Sequence, residues 1–506
     1  MRSFKIAFKS ALTCGVFVIL QGSIYSCKKT VSNRAAETKV VNKIATIATS
    51  TSTVTINYTS QLNGNGSPLL FGGSNEPSQA HYASVYPQLQ NAGIKFQRGT
   101  LHVDRLFATN FANITLADYQ NNVNNVQDPN TWDWSALTWA DNAKAQGFTT
   151  MANIFSAPGW LTYDGNVSGV PKSWTVWQDI IGKVIQKYAA KLDYIEILNE
   201  PLAGSFLTLG GSSYSTKQAA AKDIYYYTAT GIRAVNTTIT VGGDGDSEQG
   251  GDFGALGTIL RDTRLSSNMI QFVSYHIYNP NPPGADQYSA MLTLLNNSGH
   301  ASLPIFITEY NHNYDAGTTD PHVIGNTAVT FMGNTLLGFM IQPQIKGAAI
   351  YAFLPNNAVL DPQEDCVGCT NIAQGFYNWN GTSGTLVNQS RAIRLLSTSM
   401  KLGAGAFRTY SSSNPGISYG LGAINSNGNV IALLNNESAT ANTVNLVMNN
   451  TGGAGNHTVM IYVADTGSND GGTAVATLTN QLITSGTMTI SNLNLPANAL
   501  VGVIIL

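Results

Sequence analysis

Between about residue 66 and residue 400 the chain alternates short apolar runs with longer stretches of helical period, the pattern of repeated βα units. Candidate strands lie at 69–72, 94–98, 149–155, 194–199, 239–243, 272–276, 305–309 and 347–353. Eight strands spread over about 290 residues suit a (β/α)8 barrel, a TIM barrel of the α/β class. A doubly wound sheet is the competing arrangement. It calls for a glycine-rich phosphate loop early in the chain, and no such loop follows these strands. After a helix around 389–400 the period changes. From about 402 to 506 there are roughly eight strand-like runs, such as 430–434, 444–448 and 500–506, separated by Asn, Gly and Ser turns about ten residues apart. That spacing predicts a C-terminal antiparallel β-sandwich. Upstream of the barrel, Thr53-Val54-Thr55-Ile56-Asn57-Tyr58 alternates as a strand and is expected to pair into the sandwich.

Two segments precede this pattern. Arg2, Lys5 and Lys9 form a basic start, followed by an apolar run over 11–20 that is too short to span a bilayer comfortably. The segment closes on Ser23-Ile24-Tyr25-Ser26-Cys27-Lys28-Lys29, which resembles the lipoprotein signals of Bacteroidota. That resemblance implies lipid on Cys27 and an exported, outer-membrane protein facing the periplasm or the cell surface. An ordinary secretory signal cleaved nearby is the alternative reading. Residues 28–52 lack an apolar period and read as a flexible tether. The domain plan is therefore a signal at 1–27, the tether at 28–52, the early strand at 53–65, the barrel at 66–401 and the sandwich at 402–506.

Composition narrows the partners. Charged residues make up 11% of the 506, with a formal net charge of −2. This offers no electrostatic case for nucleic acid or an anionic membrane surface, and the membrane is reached only through the lipid anchor. A neutral oligo- or polysaccharide suits the balance better. Of four cysteines, Cys14 lies in the signal and Cys27 at its end. Cys366 and Cys369 remain in a Pro- and Asn-rich loop, where an oxidising compartment favours a local disulfide over a zinc site, which needs two further ligands.

The candidate chemistry sits at two strand ends. Glu200 closes Asp193-Tyr194-Ile195-Glu196-Ile197-Leu198-Asn199-Glu200, and Glu309 closes Pro304-Ile305-Phe306-Ile307-Thr308-Glu309. A parallel barrel aims both at one face, and two converging carboxylates are the minimum apparatus for cleaving a glycosidic bond. A serine-nucleophile site is excluded for want of a Gly-x-Ser-x-Gly elbow. His312 and His322 lack a ligand pattern, and neither metal nor cofactor is expected.

These motifs resemble a known group. Ile197-Leu198-Asn199-Glu200-Pro201 is similar to the strand-four motif of glycoside hydrolase clan A, and Phe306-Ile307-Thr308-Glu309-Tyr310 to its strand-seven motif. Ser274-Tyr275-His276-Ile277-Tyr278 is similar to the strand-six His-x-Tyr. Val241-Gly242-Gly243 and Asn378-Trp379-Asn380-Gly381 bring the pattern nearest to family 39 and its relatives in families 5, 30 and 51. The resemblance implies a retaining O-glycosyl hydrolase that works on a β-linked glycan. Glu200 would be the acid/base and Glu309 the nucleophile. Asn199 would bind the sugar 2-hydroxyl, Arg98 would keep a nearby carboxylate ionised, and His276 and Tyr278 would orient Glu309 and substrate. An exo-acting arabinofuranosidase, a transglycosylase and a non-catalytic glycan-binding lipoprotein are the alternatives.

A second Asn75-Glu76-Pro77 follows the first strand, where Glu76 is either a substrate contact or part of an ordinary turn. Trp160 is the foremost candidate for a sugar-stacking platform. Trp174, Trp177, Tyr310, Tyr314, Phe353 and Trp379 are further ones. Strand eight lacks the tryptophan that many clan members carry at its end.

Overall fold

The computed structural model describes residues 51–76, 82–247, 253–278, 285–312, 322, 325–351, 377–379, 384–386, 388–413 and 416–506. Cys27, Cys366, Cys369, Tyr314 and Phe353 lie outside them. A first strand, β1 (Ser52–Gly66), precedes eight strands that close into a parallel barrel. These are β2 (Gly72–Ser74), β3 (Phe96–Thr100), β4 (Thr149–Ile154), β5 (Tyr194–Ile197), β6 (Thr240–Ser247), β7 (Phe272–Tyr278), β8 (Ile305–Asn311) and β9 (Ile345–Ile350). Described helices fall between them, among them Trp174–Tyr188 and Lys217–Val235, whose apolar stripes face the barrel wall. The first barrel strand begins later than the apolar run at 69–72. Ser67 caps a 3₁₀ turn at Pro68–Leu70, and the strand starts after it. Among the described residues no helix is long and apolar enough to cross a membrane.

Inside the barrel the inward positions change character along each strand. A lower layer holds Phe96, Met151, Phe272, Phe306 and Ala349, with Tyr194 against it. Phe96 and Phe306 approach to 5.9 Å and Phe272 and Phe306 to 5.1 Å between ring centres. Gly72 and Gly347 make room for this layer, since a methyl group on either would stand 2.4 Å from the ring of Phe96 or Phe306. Two residues further along the same strands the side chains are Ser74, Arg98, Glu196, Ser274 and Thr308. With a side-chain period of two, these form the next layer up, and the interior turns from aromatic to polar towards the strand C-termini.

A short hairpin, β10 (Tyr377–Trp379) and β11 (Gly384–Leu386), lies between the barrel and the C-terminal strands. The latter are β12 (Phe407–Ser413), β13 (Tyr419–Ile424), β14 (Val430–Asn436), β15 (Asn442–Asn449), β16 (Gly455–Ala464), β17 (Asp470–Ile483), β18 (Thr487–Leu495) and β19 (Ala499–Ile505). Their order is β17-β16-β19-β14-β13-β12-β1-β15-β18. β1 runs antiparallel to β12 and parallel to β15. Val54 and Ile56 of β1 share one apolar core with Leu446, Met488 and Ile490 near one end of this order and Val459 and Ile461 near the other. The strands therefore curl over a common interior, giving a (β/α)8 barrel with a C-terminal β-sandwich.

The barrel and the sandwich are continuous. The main apolar cluster passes from the barrel helices through Leu395 and Leu402 to Ile431, Leu433, Leu500 and Ile504. Buried Asn435 donates to the Thr330 carbonyl at 2.8 Å and to Asn334 Oδ1 at 2.7 Å.

Candidate active site

The polar layer is built around one buried guanidinium. Arg98 is 5% exposed, and burial of a charge at that depth requires matched partners. It has them on four sides. Nε donates to Glu196 Oε2 at 2.6 Å, Nη1 to Glu309 Oε1 at 2.8 Å and to Ser74 Oγ at 3.1 Å, and Nη2 to Asn199 Oδ1 at 2.7 Å. Burial works against its charge, but Glu196 and Glu309 outweigh it and raise its pKa further. Glu196, fully buried in β5, also accepts from Asn153 Nδ2 at 2.9 Å. Burial pushes its carboxyl up, yet the charges of Arg98 and His276 bring it below the ordinary carboxylate range.

The turn after β5 presents Asn199 and Glu200. Leu198 and Glu200 both have positive φ, 76° and 43°, a region that side chains with a Cβ rarely adopt. The turn is held by Leu198 N donating to the Ile154 carbonyl at 2.8 Å and Glu200 N donating to the Gly245 carbonyl at 3.0 Å, with the Asn153 amide on the Leu198 carbonyl. Such strain persists where surroundings over-determine it, and it concentrates at functional positions. Because Arg98 only donates, the Asn199 amide oxygen faces it and the amide NH₂ is turned to the other side.

Glu200 and Glu309 meet at His276. The ring Nδ1 stands 2.7 Å from Glu200 Oε1 and 3.4 Å from Glu309 Oε2. A carboxylate oxygen from each glutamate and a ring nitrogen of His276 all lie within 4.8 Å of one another. Burial disfavours the imidazolium, but the Glu309 charge and the Glu200 hydrogen bond and charge prevail, so the ring's pKa is raised. Tyr278 donates to Glu309 Oε2 at 2.5 Å. Burial and the Glu309 charge push its phenol well above the ordinary value, which keeps it a donor. Among the described residues Glu200, His276 and Glu309 are also the only group of three that could share a metal ion.

Arg98, Asn199, Glu200, His276, Tyr278 and Glu309 are thus one connected cluster at the strand C-termini. The other sequence candidates have partners of their own. Glu76 accepts from Thr100 N at 3.0 Å and contacts His102 Nε2 at 2.9 Å, and His102 lies 3.9 Å from Asp104. Burial raises the Glu76 carboxyl, but the His102 hydrogen bond and charge lower it further, so its pKa falls below the ordinary value. Trp160 stacks on Tyr119 at 5.4 Å and meets the edge of Phe107 at 5.4 Å. Three further aromatic candidates pack against other side chains. Trp174 stacks on Tyr227, Trp177 bonds Thr228 between helices, and Tyr310 is buried against Phe339. Trp177 and Tyr310 are buried, and Trp174 is half-buried.

Glu196, Asn153 and Ser74 are members of the site that motif reading passed over. A signal was present for two of them: Glu196 between Ile195 and Ile197, and Asn153 within an otherwise apolar strand. Polar groups in such runs are buried only with partners.

No protein-family profile matches the chain, and no curated protein matches it. Solved structures do. A glucosidase from Croceicoccus marinus superposes with a TM-score of 0.65 at 13% identity, covering 90% of this chain and 99% of that one. A family 39 β-xylosidase from Caulobacter crescentus gives 0.59 at 12%, with the same coverage of 90% and 99%. A family 30 subfamily 8 xylanase from Clostridium acetobutylicum gives 0.58 at 14%, again over 90% and 99%. At these identities the likeness is one of fold: the chain has the barrel-and-sandwich architecture of those glycoside hydrolases over nearly its whole length.

Proposed function

We propose that the protein is a retaining glycoside hydrolase acting on a β-linked glycan, with Glu200 as acid/base and Glu309 as nucleophile. The observation that carries this reading is the approach of the two carboxylates around His276, their oxygens within 4.8 Å. Double displacement uses carboxyl groups about 5–5.5 Å apart, whereas inversion leaves about 6.5–9.5 Å for a water. Names of the fold neighbours, a glucosidase, a β-xylosidase and a xylanase, support the same class.

The residues then divide the work. Arg98 and Tyr278 supply donors to both oxygens of Glu309, which hold it aimed at the anomeric carbon. Glu200 protonates the leaving oxygen and afterwards takes a proton from the water that releases the glycosyl-enzyme. His276 bridges the pair and fixes the orientation of Glu200. The Asn199 NH₂, turned away from Arg98, donates to the sugar 2-hydroxyl, a contact that tightens in the oxocarbenium-like transition state. Glu76 and Trp160 are assigned secondary substrate contacts, and Cys366–Cys369 a loop disulfide. The export signal with Cys27 supports a lipid-anchored enzyme working outside the cytoplasm.

Full-length protein and Glu309→Gln would be incubated with β-glucans, xylans, mannans, galactans and host glycans, and products read by mass. Cleavage of a glycan by wild type alone is the expected result. A glycan bound equally by both proteins and cut by neither would replace the enzyme with a glycan-binding lipoprotein.

A further inference from the structure

Among the described residues Leu62, Val123, Val235, Val475, Leu482 and Leu506 are exposed hydrophobes scattered over the surface, and three more lie together. Tyr163, Val167 and Phe206 are exposed, and all three lie on the two connections that follow β4 and β5, beside Glu200. Single exposed hydrophobes are ordinary on any surface, so position is what distinguishes these. The two connections are fastened into one surface. Gly169 and Thr208 form a parallel bridge, Thr208 N donates to the Ser168 carbonyl at 3.0 Å, and Thr208 Oγ1 donates to Asp164 Oδ2 at 2.5 Å.

Phe206 is joined to the acid/base by two consecutive turns. Ala203 N donates to the Glu200 carbonyl at 2.8 Å, and Phe206 N donates to the Ala203 carbonyl at 3.2 Å. Phe155 follows Ile154, whose carbonyl accepts from Leu198 N, so it flanks the same turn from the other side. The two rings meet edge to face, centres 6.1 Å apart at 76°, while Phe206 remains 39% exposed. Phe155 thus holds Phe206 in place and leaves ring surface open to solvent.

Chemistry says what would rest there. In a displacement at the anomeric carbon the nucleophile enters and the leaving group departs on opposite sides. Glu309 comes from β8, and Glu200, which protonates the leaving oxygen, from β5 across the barrel mouth. The leaving group therefore lies towards the connections after β4 and β5. Those connections carry Asp164, Lys172 and Glu200 as their only charged side chains. Asp164 is engaged by Thr208 and by the Asn166 amide, and Lys217, at the start of the helix that follows, donates from Nζ to the Gly204 carbonyl at 2.8 Å.

We propose that Phe206, braced by Phe155, is the platform for the ring of a leaving-group sugar, which makes the substrate an oligo- or polysaccharide rather than a glycoside of a small alcohol. The proposal rests on the reading of Glu200 and Glu309 as a retaining pair.

The test compares kcat/KM of full-length wild type, Phe206→Ala and Phe206→Trp on two substrates with the same glycone. One is the oligosaccharide found by glycan screening, and the other is the corresponding glycosyl fluoride, whose leaving group offers no ring. Phe206→Ala is expected to lower the oligosaccharide value about three- to tenfold more than the fluoride value, the range of one aromatic contact, and Phe206→Trp to restore it. Equal losses on both substrates, or no loss on the oligosaccharide, would overturn the platform. So would a smaller assembly for Phe206→Ala by light scattering, which would make the patch a contact between copies. Wild type that releases fluoride but cuts no oligosaccharide also overturns it, with the catalytic pair intact. Wild type that turns over neither substrate removes the catalytic reading and the platform together.

Discussion

Arg98 can stay charged inside a barrel strand because Glu196, Glu309, Ser74 and Asn199 surround it. Removing the guanidinium leaves two buried carboxylates without their countercharge. Arg98→Met is expected to lose about 3–5 kcal/mol of stability in denaturant unfolding, together with activity; unchanged stability would contradict the pairing. Asp244 makes the opposite case. It is fully buried beside Asp246 and Glu196, and burial first, then the Asp246 charge, raises its carboxyl well above the ordinary range. In acid below that range both folded and unfolded forms hold the proton. As pH rises, the unfolded chain gives it up first, so the native state loses stability through this group. Asp244→Asn has no such loss and should gain stability relative to wild type as pH rises above about 4, the ordinary carboxylate value. Thermal melts at successive pH values check it, and a wild type that gains on the variant with rising pH would contradict the assignment. Motif reading reached Arg98, Asn199, Glu200, His276, Tyr278 and Glu309 because each sits at a strand end or in a recognisable string. Glu196, His102 and Asp104 were not reached, since their pairings join residues far apart in the chain or in 3₁₀ turns without an apolar period.

At the scale of elements, β1 has the most consequential position. In the strand order it stands between β12 and β15 and pairs with both. Its Tyr58 hydroxyl donates to the buried Ile431 carbonyl at 2.7 Å. Tyr58→Phe should cost about 1 kcal/mol in denaturant unfolding, with no change meaning that the bond contributes nothing net. The alternation at 53–58 was enough to mark a strand. The early strand is expected over 53–65 and β1 runs Ser52–Gly66, with register irregularities opposite β12 accommodating Gln61-Leu62-Asn63-Gly64-Asn65. The barrel strands were legible because buried parallel strands are continuous apolar runs. Their ends were less so, as where the Pro68–Leu70 turn delays β2.

Across the whole molecule the barrel and the sandwich share an apolar cluster and the Asn435 contacts with helix Ala328–Met340. Two bodies joined in this way should unfold together. Calorimetry of the wild type is expected to show one cooperative transition, and Asn435→Ala to lower it by about 1–3 kcal/mol through the unsatisfied groups it leaves. Two separated transitions would contradict the shared core. This rigidity matters to the chemistry, because Glu200 stands on the turn after β5 and Glu309 on β8, and a small change in barrel closure would part them.

The most direct test of the account is the anomeric form of the first product. Time-resolved proton NMR of a glycan cleaved by the full-length protein would resolve the newly released reducing end before mutarotation. The account predicts that a β-linked substrate first yields the β anomer, because Glu309 and then water each invert the same carbon. Appearance of the α anomer first would mean single displacement by water and would remove Glu309 from the role of nucleophile.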